Sequence, residues 1–498
     1  MLKEKFSLAF FARLFVQFLQ LIGTIFVARI AGPSVLGTVA FGLAFVDMFS
    51  FLGNFGLGGA HTKILSEGYD KDKCIGTFSW LYSLAKLLFL FFIVGYFLAQ
   101  KYLFNFPFES REHEYVIMVF IFMIVVNTLV EIPMATFIAR MEQAKKDIPE
   151  IIKNLCLLLL RIVVVLLGGT AIALAFANLF SAIIIIPILW HLAGKVRLSK
   201  YDKEIAKKYI AYGIPLTILS ISVVFMYTLD KVLLQYFTDS EQVGYYTVGF
   251  RLGGVFLLIA NSASTLFYPY FSKAYAQNDI VTIQRIINRY ERSCFLFVMP
   301  AMILLSIYSD TIVLLFLGEQ YISSIKVLSI IVIAQMYFLF TVPYGNLIAG
   351  MGKFKTAALF HLVNVVILAA SMIMFVNPNM LNLKAEGAAL AFFSSKIFLG
   401  SIFIVLTKKY IHEFPLKWFK MFIIASIMIY FGFNYVYQMA FTTSISLRIL
   451  FPFVFFSIVY GIFFLFKLFN LKDIIELLSF ISPGRLKKYI SKELNIKD

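Results

Sequence analysis

The chain has 498 residues, of which 61% are hydrophobic, 17% aromatic and 14% charged, with a net charge of +17 and a mean hydropathy of +0.88. Soluble domains are about half apolar and a quarter charged, so this composition excludes a soluble enzyme and points to many membrane-crossing helices. The length of the apolar runs also excludes a transmembrane β-barrel, whose strands need only about ten residues each.

Met1-Leu2-Lys3-Glu4-Lys5 precedes an apolar stretch to about Ala28. The stretch is too long for a signal peptide and no small-x-small cleavage site follows, so it is expected to remain as the first membrane helix. At ~20 apolar residues per crossing, about fourteen spans are expected. The first six run at 7–29, 36–60, 77–100, 115–138, 149–168 and 170–192. The next six run at 209–237, 244–269, 293–309, 324–349, 355–376 and 386–407, and two more at 418–440 and 447–467. The expected organisation is a six-helix lobe over 1–193, a basic cytoplasmic linker over 194–208 and a second six-helix lobe over 209–407. Two further spans fill 408–470, and an amphipathic basic tail over 471–498 lies on the cytoplasmic membrane surface.

The loops alternate in charge. With the N-terminus in the cytoplasm, the inside loops carry Lys63, Lys71 and Lys73, then Arg140, Lys145 and Lys146, then the run from Lys195 to Lys208. They continue with Arg285, Arg289 and Arg292, Lys353 and Lys355, and Lys408 to Lys420. The outside loops hold Asp239, Glu241, Asp310 and Glu319 and few bases. Both termini are therefore expected in the cytoplasm of a multi-pass cell-membrane protein, and the bases read as orientation signals rather than a nucleic-acid patch. Cys74, Cys156 and Cys294 lack metal or disulfide spacing, and no Walker A, HExxH, GxSxG or dinucleotide fingerprint is present. No catalytic residue, cofactor or metal is expected, and the chain is not read as an enzyme.

The hydrophobic pattern repeats. Ile132-Pro133-Met134-Ala135-Thr136-Phe137-Ile138-Ala139-Arg140-Met141 returns as Val342-Pro343-Tyr344-Gly345-Asn346-Leu347-Ile348-Ala349-Gly350-Met351. The next apolar segment carries Asn154 in one copy and Asn364 in the other. Leu65-Ser66-Glu67-Gly68-Tyr69 is echoed by Phe271-Ser272-Lys273-Ala274-Tyr275, and Ala171-Ile172-Ala173-Leu174-Ala175 by Gly387-Ala388-Ala389-Leu390-Ala391. Echoes in the same order indicate two duplicated halves, an arrangement characteristic of secondary transporters.

Ionisable residues at bilayer depth are costly and usually face a bundle interior or a wet cavity. The cations Arg13, Lys86, Arg161, Arg251 and Lys396 are expected to form an anion-attracting cavity suited to a pyrophosphate or an acidic sugar. Asp47, Glu131, Asp230 and Lys231 are expected as coupling or gating residues, and the duplicated Pro133 and Pro343 as hinges. Each charge also has a structural reading. Arg13 and Lys231 would snorkel to headgroups, Glu131 would pair with a neighbouring base, and Asp230 would pair with Arg251 across a short outer loop. Gly53, Gly56, Gly58 and Gly59, and the GxxxG pair Gly249 and Gly253, are expected to serve close helix packing.

Ala28-Arg29-Ile30-Ala31-Gly32-Pro33-Ser34-Val35-Leu36-Gly37 resembles the Arg-x-x-Gly-Pro-x-x-x-Gly turn of the polysaccharide transporter branch of the multidrug/oligosaccharidyl-lipid/polysaccharide (MOP) exporter superfamily, the Wzx-type flippases. Gly56-Leu57-Gly58-Gly59-Ala60-His61-Thr62-Lys63 is similar to its second-helix end, with Lys63 in place of the usual Arg. Gly213-Ile214-Pro215-Leu216, Leu229-Asp230-Lys231, Val243-Gly244-Tyr245-Tyr246 and Leu315-Phe316-Leu317-Gly318-Glu319-Gln320-Tyr321 follow in the family order. The resemblance implies two six-helix lobes in a V with two extra C-terminal helices. It implies a flippase that moves a polyprenyl-pyrophosphate-linked oligosaccharide to the outer leaflet by alternating access. Na+ or H+ is the expected coupling ion. A glycan polymerase or glycosyltransferases are the candidate protein partners. A peptidoglycan-precursor flippase and a multidrug exporter of the same fold stand as alternatives. A membrane glycosyltransferase would want catalytic acids on a large outer loop, which this sequence lacks.

Overall fold

The computed structural model describes residues 2–102, 108–194, 201–410, 417–441 and 445–468, and all regular structure among them is helical. Helix α1 (Leu2–Asp47) is a merged pair broken at Gly32, whose φ of 83° and ψ of 174° are non-helical and which is followed by Pro33. Proline removes a ladder hydrogen bond and clashes with the preceding turn, and glycine tolerates the positive φ, so the kink is written in this dipeptide. Short α2 (Phe51–Asn54) and α3 (Leu57–Ser66) follow, separated by left-handed Phe55 and Gly56. Then come α4 (Lys71–Tyr102), α5 (Arg111–Ala139), α6 (Gln143–Leu166), α7 (Ala171–Ala193), α8 (Lys203–Phe237) and α9 (Ser240–Gly253). A 3-10 turn leads to α10 (Leu257–Ala276), and α11 (Ile280–Ser293) runs through a π-helical turn, Cys294–Val298, into α12 (Met299–Ile307). The chain continues with α13 (Ser309–Phe316), α14 (Ser324–Gly350), α15 (Phe354–Val376), α16 (Lys384–Tyr410), α17 (Lys417–Val436) and α18 (Ile445–Leu465).

Among the described residues ten helices are long and apolar enough to cross a membrane, and α8, bent by 45° between its two parts, makes up to eleven. The protein is therefore a multi-span membrane protein, although the count falls short of the fourteen expected. Spans 7–29 and 36–60 are two helices counted together because they join at the Gly32 kink, and the end of the second runs on through α2 into α3. Span 149–168 falls on α6, which carries Glu150, Lys153 and Arg161 within its apolar stretch. Span 244–269 is divided among α9, the 3-10 turn and α10.

The sequence echoes recur as local structure. α3 ends at left-handed Gly68 before α4, and α10 ends at left-handed Asn278 before α11. The proline-bearing helices α5 and α14 end at left-handed Met141 and Gly352, ahead of α6 with Asn154 and α15 with Asn364. Each proline leaves the carbonyl four residues earlier without its helical donor. Both carbonyls find a side-chain donor instead. Trp190 Nε1 donates to the Leu129 carbonyl at 3.0 Å below Pro133, and the Tyr290 hydroxyl donates to the Leu339 carbonyl at 3.0 Å below Pro343.

The chain divides into two compact units between Thr247 and Val248, whereas the sequence reading puts the break at 194–208. The reason is that α8 and the first turns of α9 pack into the first unit. A Cβ on Gly37 would lie 1.7 Å from the Ser240 carbonyl oxygen, and one on Gly244 2.0 Å from that of Pro33. Backbones this close admit only glycine. At the other end of α8, buried His61 stacks on Phe78 with centroids 4.1 Å apart and is hydrogen-bonded to the Tyr209 hydroxyl at 2.7 Å. Asp202 caps α8 by accepting from the Glu204 and Ile205 N–H groups, and it pairs with Lys73 at 3.1 Å. In the second unit Gly249 and Gly253 meet Val327 and Ile331 of α14 closely, as expected of a packing motif. Gly58, by contrast, faces open space. Lys195, Arg197, Lys200 and the basic tail 471–498 lie outside the described residues.

Two outcomes are expected in detergent-solubilised protein. Gly244→Ala should destabilise by about 1–3 kcal/mol, read as a lower Tm, because the Pro33 backbone has no room to retreat. The Ile205 N–H, followed by the Lys73 ammonium, holds the Asp202 carboxyl below the usual carboxylate range. Its folded value being depressed, its contribution is present above the unfolded value of about 4 and is lost as pH falls further. Asp202→Asn should keep the cap and flatten that acid-side loss, and Asp202→Ala should lower Tm at neutral pH.

Candidate functional site

Within the first unit, α1, α4, α5 and α8 line a cavity of about 570 Å³. Helical periodicity builds its walls. Tyr82, Lys86 and Phe89 share one face of α4, and Phe120, Ile124, Asn127 and Glu131 share one face of α5. Lys86 is 8% exposed, and its ammonium lies 2.8 Å from the Glu131 carboxylate. The Tyr82 hydroxyl donates to the same carboxylate, and its ring lies 5.2 Å from the Lys86 ammonium. Asp47, the last residue of α1, lines the same space. The charged lining groups are thus two carboxyls and one ammonium.

The other expected cations lie elsewhere. Arg13 is exposed on α1. Arg161 donates to the Asn178 amide oxygen at 3.3 Å, tying α6 to α7. Arg251, half-buried in α9, and buried Lys396 belong to the second unit, where the Lys396 ammonium sits 4.4 and 4.8 Å from the ring centroids of Phe338 and Phe392. The first unit's cavity therefore gathers Lys86 with Asp47 and Glu131, and not Arg13 or Arg161.

Asp230 is fully buried. It accepts from the Tyr246 hydroxyl at 2.7 Å and pairs with the Lys231 ammonium at 3.1 Å. Lys231 reaches it by folding back along its own helix, where it also donates to the Tyr227 carbonyl at 2.9 Å. The bond to Tyr246 joins the two motif segments Leu229-Asp230-Lys231 and Val243-Gly244-Tyr245-Tyr246.

Three features escaped the sequence reading. A second first-unit cavity of about 750 Å³ is lined by Phe41, Phe45, Tyr96, Phe108 and Tyr236 beside Glu109. The His61, Tyr209 and Thr136 cluster gave no sequence signal, because its members are far apart along the chain. Glu291 of α11 is fully buried. A signal for it did exist: it continues the i, i+4, i+8 stripe begun by buried Ile283 and Ile287.

Removing Lys86 alone leaves a partly buried carboxylate unpaired. Lys86→Met should therefore lower stability by about 2 kcal/mol, and Lys86→Met combined with Glu131→Met should recover most of it, as a double-mutant thermal-melt cycle would show.

A profile of the family described as polysaccharide biosynthesis protein matches residues 26–326. The probable low-salt glycan biosynthesis flippase Agl15 of Haloferax volcanii is 22% identical over 317 residues, spanning 63% of this chain and 64% of that protein. The match thus covers a little under two thirds of the relative's length. A structure of the lipid II flippase MurJ in an inward closed conformation is 17% identical, with 91% of this chain and 98% of that one covered and a TM-score of 0.68. An inward-facing multidrug resistance MATE family transporter of the MOP superfamily is 16% identical, with 79% and 96% covered and a TM-score of 0.63. At these identities the likeness establishes the fold, which is the all-helical membrane fold expected from the sequence. With more than half of its length matched by the profile, the chain belongs to the polysaccharide biosynthesis protein family.

Proposed function

We propose that this protein is a flippase that carries a polyprenyl-(pyro)phosphate-linked oligosaccharide across the cytoplasmic membrane by alternating access, with both termini cytoplasmic. The observation that carries the reading is the Lys86–Glu131 pair, with Asp47 beside it, in a cavity of about 570 Å³ inside a membrane unit. A space of that size accepts a few sugar rings. An ammonium held by a carboxylate is stable in the empty site and available to a competing anion. A pyrophosphate or acidic sugar would take Lys86. Glu131 and Asp47 would then need a cation, H+ or Na+, and that exchange would link substrate to coupling ion. Arg161, Arg251 and Lys396 serve as further anion-attracting groups, Arg13 as a headgroup contact, and Pro133 and Pro343 as hinges. The protein is a carrier rather than an enzyme and works with glycosyltransferases or a glycan polymerase. The family and the name of the relative Agl15 support this reading, and the fold shared with MurJ is consistent with it.

The charge balance of the cavity favours one second reading, export of an organic cation, because its carboxyls outnumber its ammonium. The two are separated by the leaflet accessibility of lipid-linked glycan in cells deleted for the gene and complemented with wild type, Lys86→Arg or Lys86→Met. Deletion should trap glycan on the cytoplasmic side. Wild type should restore export, Lys86→Arg restore it in part, and Lys86→Met fail at normal protein levels. Unchanged glycan export with raised sensitivity to a cationic drug would put the exporter reading in its place.

A further inference from the structure

The last turn of α11 sends two consecutive side chains to the Pro343 region of α14. The Tyr290 hydroxyl caps the Leu339 carbonyl that Pro343 leaves without a donor, at 3.0 Å. Its neighbour Glu291 accepts a hydrogen bond at Oε1 from the hydroxyl of Tyr344, the residue after Pro343. Glu291 and Tyr344 are both 0% exposed. Glu291 Oε2 is buried and has no hydrogen-bond partner among the described residues. Immediately beyond, the helix loosens into the π-turn Cys294–Val298, a distortion that recurs at functional positions.

The first unit supplies an internal comparison. There the roles are exchanged: a tyrosine of the preceding helix, Tyr82, bonds a glutamate beside the proline, Glu131 next to Pro133, and the Lys86 ammonium pairs with that glutamate at 2.8 Å. Among the described residues no such cation pairs with Glu291. The titratable groups around it are Tyr344 from α14 and Cys294 from the π-turn. The neighbouring α10 and α17 carry Lys273 and Lys420, and both are exposed. A buried carboxylate without a counter-charge is neutralised rather than left ionised. A metal ion would need more oxygen ligands than one carboxylate and one phenol, and no group of three acidic, histidine or cysteine residues fit to hold one exists among the described residues.

We propose that Glu291 is a proton-binding site of the second unit, and that its loading and unloading, relayed through Tyr344, sets the bend of α14 at Pro343. The proton adds to the open Oε2 from water and returns to water, while Oε1 keeps the Tyr344 hydroxyl. When the proton leaves, the ionised carboxylate pulls harder on that hydroxyl, and the two helices tighten across the proline. This deepens the flippase reading, and rests on it where the proton is said to drive transport.

The test uses full-length protein in lipid bilayers and infrared difference spectra between neutral and alkaline pH. Wild type should show a protonated-carboxyl band that is lost at alkaline pH. Glu291→Gln should lack it, Glu131→Gln should retain it, and Tyr344→Phe should shift its frequency by removing the hydrogen bond. A band unchanged in Glu291→Gln, or unmoved in Tyr344→Phe should the first variant not fold, overturns the proposal. In cells, Glu291→Gln should lower glycan translocation about tenfold, with partial recovery in Glu291→Asp. Translocation at the wild-type rate in Glu291→Gln overturns the coupling role. If deleting the gene leaves glycan export intact, the flippase reading fails instead, and the infrared result still decides whether Glu291 binds the proton.

Discussion

A lysine ammonium at the depth of a membrane span has to be answered from within the protein. Removing an ion from water costs several kcal/mol even after relaxation, so Lys86 is tenable only against a counter-charge of good geometry. Glu131 provides it at 2.8 Å, and Tyr82 donates to the same carboxylate. This one network fixes the rotation of α4 against α5, since all three side chains must face inward together. The cavity, its lining faces and the position of Asp47 follow from that alignment.

The two units use one local device in different electrical states. In each, a proline in a long helix exposes a leucine carbonyl, an aromatic donor from another helix caps it, and a tyrosine–glutamate bond lies beside the proline. Trp190 is the cap in one and Tyr290 in the other, and tyrosine and glutamate exchange helices between the copies. The capping bond lets proline persist without an orphaned buried carbonyl, so each helix can bend there at little cost. The decisive difference is Lys86. The first carboxylate is paired with an ammonium at 2.8 Å, while the second has no cationic partner among the described residues.

The helical membrane fold was legible because apolar length and loop charge are one-dimensional signals. Gly32-Pro33 announced a turn and became a kink, and the echoed segments became helix–turn–helix units with a left-handed residue two positions past each first helix. Individual charges in the spans were legible for the same reason: Lys86 and Glu131 stand out in apolar runs. That Glu131 could pair with a base was legible, but that the base is Lys86 was not, because it depends on the relative rotation of two helices. The pairing of Asp230 with Lys231 was not legible, because an adjacent lysine that folds back along its own helix looks, in sequence, like a charge pointing away. Glu291 was hidden among Arg285, Arg289 and Arg292, which read as a cytoplasmic loop although α11 buries one stripe. The contacts that pack α8 and the first turns of α9 into the first unit were not legible, because basic composition marks a loop while the glycine contacts are three-dimensional.

The most direct measurement is native mass spectrometry of the purified protein with a polyprenyl-pyrophosphate-linked saccharide, alongside the same lipid without its pyrophosphate, for wild type and Lys86→Met. Retention of the pyrophosphate lipid by wild type, with loss of that preference in Lys86→Met, is the result that an exchangeable Lys86–Glu131 pair requires. Equal retention of both lipids by both proteins would contradict it and leave Lys86 as a purely structural charge.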